Sequence, residues 1–526
     1  MNRLLILLLL FISSHAMAQV RAARILLIPL DDRPPCLQFT VRMGLIGHAE
    51  VIAPPQELLG QFTTPGQSEA IAAWVEKQDL RSFDAAIVCL DMLAYGGLVG
   101  SRVHQVAAPL ALQRLEVLNR IRKKAPKLPV YAQSVVMRLA PSATPQNAAY
   151  RQKIARWAEI SPYPAHQAEA RQLEKEIPAA ELQDYKEART RNLRINQRAI
   201  ALTKQGIIDY LLLTQDDAKP QGVHRSDHET LLQEIKKEKL TSRVALQAGT
   251  DEVSMLLLSR ALIRHFGFAP KVRALYSSES TREKTMPFED RPLYQTVSEQ
   301  ILAAGAQEVQ DNTADAFFYV YASRYEAGRA ESSIDEIASL LEAGKAVIVA
   351  DIDPRGDVQG GDSTFTKALE KRQLLGKLSG YASWNTAGNT IGTALPQGTI
   401  YTVASQKLLS KPGLASSIYT AQQWFLLHRL LDDYYFHTKV RREANAAFGQ
   451  AGMSATLLDE KRNQAMETRC QQQLQAFFTQ LWPAYQASIP PQYQCLTPSP
   501  LQFHLPWNRT FEGLIDFDLT CKALKP

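Results

Sequence analysis

Two alternating patterns run through most of the chain. Short, almost uninterrupted apolar runs recur, separated by longer stretches whose apolar residues return every three or four positions. The first pattern predicts β-strands covered on both faces; the second predicts amphipathic helices. The strands expected are Arg24–Leu30, Ala85–Leu90, Pro129–Val135, Ile208–Thr214, Arg243–Ala248, Lys271–Tyr276, Ala316–Tyr321 and Ala346–Ala350. Helices are expected at Leu110–Lys124, Glu229–Lys239 and Ile334–Ala343, with Ser226 and Glu229 forming a capping box that opens the second. Alternation of this kind is the signature of an α/β protein with a mostly parallel sheet, either barrel-like or doubly wound.

Two regions break the rhythm. Residues 146–204 are rich in Arg, Glu, Gln and Ala and punctuated by Pro162, Pro164 and Pro178, which predicts a helical insertion. Beyond about residue 410, Ser416–Arg442 and Asp459–Leu481 read as helices, and a Pro-rich extended tail follows from Ser488. The expected organisation is therefore a leader over 1–18, an α/β body over 19–410 and a helical C-terminal region over 411–526.

The leader rests on Asn2-Arg3, the apolar run LLILLLLFI and an A-x-A site at Ala16-Met17-Ala18, a Sec-type signal peptide cleaved after Ala18. The apolar run is shorter than the roughly 20 residues a membrane-spanning helix needs. No second long apolar stretch follows, so no stable membrane span is expected, and the mature chain is expected in the periplasm or outside the cell. Composition narrows the classes further. With 526 residues, 45% hydrophobic and 21% charged, the chain has ample length for a core and none of the bias of disorder or fibres. Its net charge of +6 falls to +5 once Arg3 leaves with the leader. The basic residues are scattered, so nucleic acid is not an expected partner. Five cysteines include no C-x-x-C pair, and a disulfide between Cys470 and Cys495 is the first expectation among Cys470, Cys495 and Cys521.

Candidate chemistry collects where apolar strands end. LLIPL runs into Asp31-Asp32, IVCL into Asp91, LLLTQ into Asp216-Asp217, ALQAGT into Asp251-Glu252, and VIVA into Asp351 and Asp353. In a parallel sheet the C-terminal strand ends share one edge, where ligands bind. Carboxyl groups gathered there can split into a protonated acid and an ionised partner, or can bind a hard cation through oxygen. The competing reading is that each Asp caps a helix or makes a turn. Asp216, Asp217, Asp251 and Glu252 are the catalytic candidates; the lapse of alternation before Ala218-Lys219-Pro220 allows Asp216 and Asp217 to face one cleft. Asp31, Asp32, Arg33, Asp91, Tyr95 and Arg102 are expected to bind substrate, although Arg33 could equally neutralise the Asp31-Asp32 pair as a structural ion pair. Trp384, Asn385 and Asn389 suit a sugar, by ring stacking and hydroxyl recognition, or else a core tryptophan and turn asparagines. No cofactor is expected, a divalent cation being the alternative. Residues 351–362 only loosely echo a calcium loop, with Arg355 in a ligand position. His224 and His228 are separated by the presumed cap at Ser226 and need not share a face.

Taken in order, PLDDRP, LDMLAYGGL with SR, RTRNLRIN, QDDAKPQG, GTDE, YASWNTAGNTIGT and LPWNRTFE resemble the bacterial domain-of-unknown-function family numbered 4127, from about Ile25 to Phe517. The resemblance marks Asp31, Asp32, Arg33, Asp91, Tyr95, Arg102, Asn192, Asn196, Asp216, Asp217, Asp251, Glu252, Trp384, Asn385 and Asn389 as motif residues and implies no reaction. Locally, a strand ending in Asp-Asp also resembles O-GlcNAcase and hyaluronidase-type hexosaminidases. That likeness implies Asp216 as the base orienting a substrate acetamide and Asp217 as the general acid. The expected function is a secreted glycoside hydrolase acting on cell-wall or polysaccharide fragments. The alternatives are a metal-dependent hydrolase using Asp31, Asp91, Asp216, Asp251 and Asp351, and a non-catalytic carbohydrate-binding protein.

Overall fold

The computed structural model describes residues 21–524, apart from 145, 323–327, 353–360, 412, 452–453 and 457. Its first half is one parallel sheet made of β1 (Ala23–Ile28), β2 (Ala49–Ile52), β3 (Ala85–Cys89), β4 (Val130–Val136), β5 (Tyr210–Gln215) and β6 (Val244–Ala248), in spatial order 2-1-3-4-5-6. A second parallel sheet follows, made of β7 (Lys271–Tyr276), β8 (Gln307–Glu308), β9 (Ala316–Tyr321), β10 (Ala346–Asp351) and β11 (Gly380–Ala382), in order 8-7-9-10-11. Counted from its own first strand, the second sheet repeats the order 2-1-3-4-5 of the first. Both are open, so the choice between barrel and doubly wound sheet falls to the latter.

The reason lies in the strand sequences. AAIVC of β3, YLLLTQ of β5 and AFFYVY of β9 are buried along their whole length, as strands with helices on both faces must be. All eight expected strands are present. The additional β2, β8 and β11 are two to four residues long, too short for a periodicity to register. Helices Val253–Phe266 and Ala387–Lys407 pack together between the two sheets, joining them through one continuous apolar core. Its components include Leu256, Leu262, Ile391 and Leu395, all fully buried.

The insertion is helical, with helices Arg151–Ile160, Gln167–Glu176 and Ala179–Lys204 around a small core of Trp157, Tyr185 and Ile154. The C-terminal region contains helix Leu414–Arg429, a π-helix over Leu430–Val440, helix Arg441–Gln450 and helix Glu460–Ala487. Four short strands close the chain: β12 (Tyr493–Cys495) pairs with β15 (Cys521–Ala523), and β13 (Gln502–His504) with β14 (Leu514–Asp516), both antiparallel. Among the described residues no helix is long and apolar enough to cross a membrane.

Three local expectations are corrected. The disulfide joins Cys495 to Cys521, while Cys470 is a buried free thiol facing the helical core; the antiparallel pairing of β12 with β15 sets Cys495 directly opposite Cys521. The helix expected to open at Ser226 begins at His224 without a side-chain cap. His224 and His228 therefore share one helix, with ring centroids 6.0 Å apart. Leu110–Lys124 is two helices, Ala108–Arg114 and Val117–Lys124.

Candidate functional site at the strand ends

The acids of the first sheet do meet at its C-terminal edge, and arginines hold Asp31, Asp216, Asp217 and Asp251 there. Arg33 lies in the turn after β1 and is almost fully buried. Its Nε and Nη2 donate to Asp31 at 3.0 and 2.8 Å, and its Nη1 and Nη2 donate to Asp251 at 2.9 and 2.7 Å. Asp251 can reach β1 because the exit from β6 turns back over the strand ends, where Gln133 of β4 donates to Thr250 O at 2.8 Å. Burial raises the Asp251 carboxyl above its ordinary range, and Arg33 opposes that shift. Thus Arg33 does form an ion pair, with Asp31 and Asp251; Asp32 stands apart from it.

Asp32 accepts a hydrogen bond at 2.7 Å from the indole N–H of Trp507, which comes from the C-terminal tail. Burial pushes its carboxyl up to about 6, against the lowering effect of that bond. Asp91, after β3, is completely buried. Its Oδ2 accepts from Val135 N at 2.8 Å, tying β3 to β4, and its Oδ1 has no partner among the described residues. Desolvation raises it to about 7. The chain can leave Asp91 sharply because Gly96 and Gly97 have φ of +83° and +122°. A Cβ on Gly96 would lie 2.6 Å from the Gly66 backbone.

The doublet after β5 has two unequal members. Asp216 is buried and accepts from Arg102 Nε at 3.0 Å, while Arg102 Nη1 reaches Ser142 Oγ at 2.8 Å. Desolvation, with the neighbouring charge of Arg138, lowers Arg102 to about 10. Asp217 has φ +43° and keeps 37% of its side chain exposed, bound by Arg138 Nη1 at 2.6 Å. Arg138 also lies 4.0 Å from Asp216. The left-handed turn at Asp217 is what lets consecutive carboxylates face the same guanidinium; in a regular strand they would point to opposite faces.

The other motif residues take supporting positions. Asn192 accepts from Met137 N at 3.2 Å and Asn196 donates to Ser134 Oγ at 2.8 Å, fixing the end of β4 against helix Ala179–Lys204. Arg191 donates to Ser101, Val103 and Val106 carbonyls and lies 4.0 Å over the Tyr95 ring, so Tyr95 is a wall of the interior. Glu252 turns away from its neighbour Asp251 and accepts from Asn389 Nδ2 at 2.6 Å. Desolvation raises Glu252 to about 8. Asn385 donates to Asn389 Oδ1 at 2.7 Å. Trp384 is 4% exposed, donates to Thr393 Oγ1 at 3.0 Å and meets Phe39 edge-on. It presents no open face for a sugar ring.

The proposed metal ligands are not gathered into one shell. Among the described residues no group of three or more His, Cys, Asp or Glu is placed to hold a metal ion. Guanidinium groups bind both oxygens of Asp31 and Asp251 and one oxygen of Asp216. Asp351 ends β10 in the second sheet and accepts from Asp362 N at 2.7 Å; Asp353 and the calcium-like residues Arg355, Gly356 and Asp357 lie outside the described residues.

Sequence reasoning passed over several contributors. Arg138 follows β4 with no neighbouring acid to flag it. Glu289, raised by burial to about 8, accepts from Gly388 N at 2.9 Å. Trp507 and Glu512 lie inside LPWNRTFE, a recognised motif whose partners are 475 residues away in the chain for Trp507. Asp432-Asp433, in a helical segment, gave no strand-end signal.

Fold and site together define a two-sheet α/β protein with an arginine-braced carboxylate cluster at one sheet edge. The chain belongs to the family described as "Protein of unknown function (DUF4127)", which matches residues 25–516. No curated protein matches it, and neither does any solved structure.

Proposed function

We propose that the chain is a hydrolase of the periplasm or cell exterior that cleaves a glycosidic bond in a cell-wall or polysaccharide fragment. The observation that carries this reading is the unequal doublet at the end of β5. Asp216 is locked by Arg102, while Asp217 reaches solvent from the same strand end. Such a pair divides the labour of glycoside cleavage. The fixed carboxylate orients the substrate group that attacks the anomeric carbon, and the accessible carboxyl delivers a proton to the leaving oxygen as the substrate displaces Arg138. Asp32 and Asp91, shifted up to about 6 and about 7, place further protonatable groups on this edge. The arginine bonds to Asp31, Asp216 and Asp251 make the metal-dependent alternative the weaker one.

The test is Asp217→Asn on a panel of glycosides and peptidoglycan fragments, read by release of reducing ends. Loss of about 10²–10⁴-fold in kcat is expected, with less than about 1 kcal/mol of stability lost. Full activity of that variant removes the assignment. A second reading, a carbohydrate-binding protein without turnover, is favoured by the paired state of Asp31, Asp216 and Asp251. Calorimetric binding with no product across the panel would select it.

A further inference from the structure

At the end of β1 the carboxylate edge is covered, Asp31 and Asp32 being 2% and 6% exposed. Beside Asp31, Gly97 and Trp507 the open space amounts to about 10 Å3, roughly the room of one water and far less than a sugar ring. Two pieces of chain share the cover: residues 60–65, whose Phe62 ring lies 5.3 Å from Trp507, and residues 505–513, which contribute Trp507. His504 pairs with Leu514 across β13 and β14, so residues 505–513 form the tip of a hairpin. Its neck is held independently of the tip, and beyond the neck β12 and β15 are joined by Cys495–Cys521. Compact loops of this length closed at the base are frequently functional.

The tip grips the site through polar groups. Trp507 donates to Asp32 at 2.7 Å, its ring lies 4.9 Å from the Arg33 guanidinium, and Glu512 Oε1 lies 3.5 Å from Arg33 Nη1. Arg509 braces Glu512 at 2.8 Å, and Gln61 Nε2 donates to Pro506 O at 3.2 Å. The tip is also fastened to the C-terminal region, with Leu505 buried in the main core and hydrogen bonds from Leu505 N to Glu467 Oε1 at 2.7 Å, Thr510 N to Ala455 O at 3.0 Å, Leu458 N to Asn508 O at 2.7 Å, and Thr510 Oγ1 to Asn445 Oδ1 at 2.6 Å. Each inward bond can be handed over. A ligand hydroxyl can donate to Asp32 in place of the indole N–H, and a hydroxyl or ring oxygen can accept from Arg33 in place of Glu512. By contrast, the Arg33 bonds to Asp31 and Asp251 belong to the sheet edge and remain.

We propose that residues 505–513 are a lid that swings away on the β13–β14 neck to admit a polyhydroxylated ligand to Asp32 and Arg33 at the end of β1, with Trp507 and Glu512 as its latch. The ligand class rests on the glycosidase reading; the motion does not. The closed state is the stable one, and opening is a local event that leaves both sheets intact.

Hydrogen exchange of the full mature chain, without ligand, tests the motion directly. Amides of 505–513 are expected to exchange faster than those of β3, β4 and the β13–β14 neck. The double variant Trp507→Phe with Glu512→Gln should speed the tip by about tenfold or more, as loss of a hydrogen bond to a charged group does, and leave the neck unchanged. Gln61→Ala, which touches only the rim, should give a smaller increase and keeps the test available if the double variant misfolds. Exchange of 505–513 only at the rate of β3 and β4, in the parent and in Gln61→Ala, overturns the lid. Fast tip exchange without turnover of any glycoside sinks the hydrolase and leaves the lid standing; a saccharide that binds should then slow the tip.

Discussion

In the first sheet three of the acids at the strand ends meet arginines brought from other loops, Arg33 with Asp251, Arg102 with Asp216 and Arg138 with Asp217, while Asp91 alone accepts from a strand N–H. In the second sheet, wound in the same order, the strand ends are tied off by backbone bonds instead. Ser277 Oγ donates to Ala322 O at 2.9 Å, and Asp351 accepts from Asp362 N. Ser383 N at the end of β11 donates to Asp433 Oδ2 at 2.7 Å, and Asp433 is held in turn by Arg429 at 2.7 Å. One topology thus supports two outcomes. Side chains paired across long sequence separations keep exchangeable partners near solvent at Asp217, whereas carboxylates spent on backbone N–H groups serve packing. The π-helix that carries Asp432 and Asp433 is the clamp of the second edge, with Arg429 stacked 3.6 Å from the Phe39 ring centroid.

The contrast can be broken experimentally. The largest effect is expected at the second edge. Arg429→Met leaves Asp432 and Asp433 buried without their cation and should cost about 3–5 kcal/mol of unfolding free energy, measured by denaturant titration. A loss below about 1 kcal/mol would show that the clamp is not structural.

Next comes pH. Glu252 and Glu289, between the two sheets, have carboxyls raised to about 8 in the folded chain, against roughly 4.3 when unfolded. A raised acid binds its proton more tightly when folded, so its contribution is full below about pH 4 and is lost progressively up to about pH 8. Glu252→Gln, which fixes the neutral form, should therefore gain stability relative to the parent at pH 8.5 and show little gain at pH 4. Equal offsets at both values would refute the assignment.

A smaller effect is expected at Asp32. Trp507→Phe removes the bond that favours its carboxylate, so its titration, followed by carbon-13 NMR, should move above about 6 at a stability cost of about 1 kcal/mol. An unmoved titration would mean the indole does not govern that group. The smallest change in stability belongs to Asp217→Asn, which breaks a half-exposed ion pair and should cost less than about 1 kcal/mol. A loss as large as that of Arg429→Met would erase the distinction between the two edges.

Much of the fold was legible because fully buried parallel strands must be apolar throughout. Ala316–Tyr321 coincides with the fully buried β9, and Lys271–Tyr276 coincides with β7 although only its Val272 is fully buried. Strand-end acids were legible for the same reason, since the first polar residue after such a run marks the sheet edge. What escaped were elements without a period, such as β11, and residues whose meaning is a partner. Trp384, legible only as an aromatic, proved to be packed against Phe39. Cys495 gave no hint of choosing Cys521 over Cys470, because strand register makes that choice.

By itself the sequence determined the alternation of covered strands and helices, the insertion, the C-terminal helical region and the positions at which carboxylates leave the sheet. These follow from local composition, because burial and periodicity act over a few residues. Only the tertiary structure decided that the chain winds twice into open sheets, that arginines claim most of the acids, and that a hairpin from the far end seats Trp507 on Asp32. Those are pairings across 79 to 475 residues, fixed by how whole layers dock and by the cost of leaving a buried charge alone.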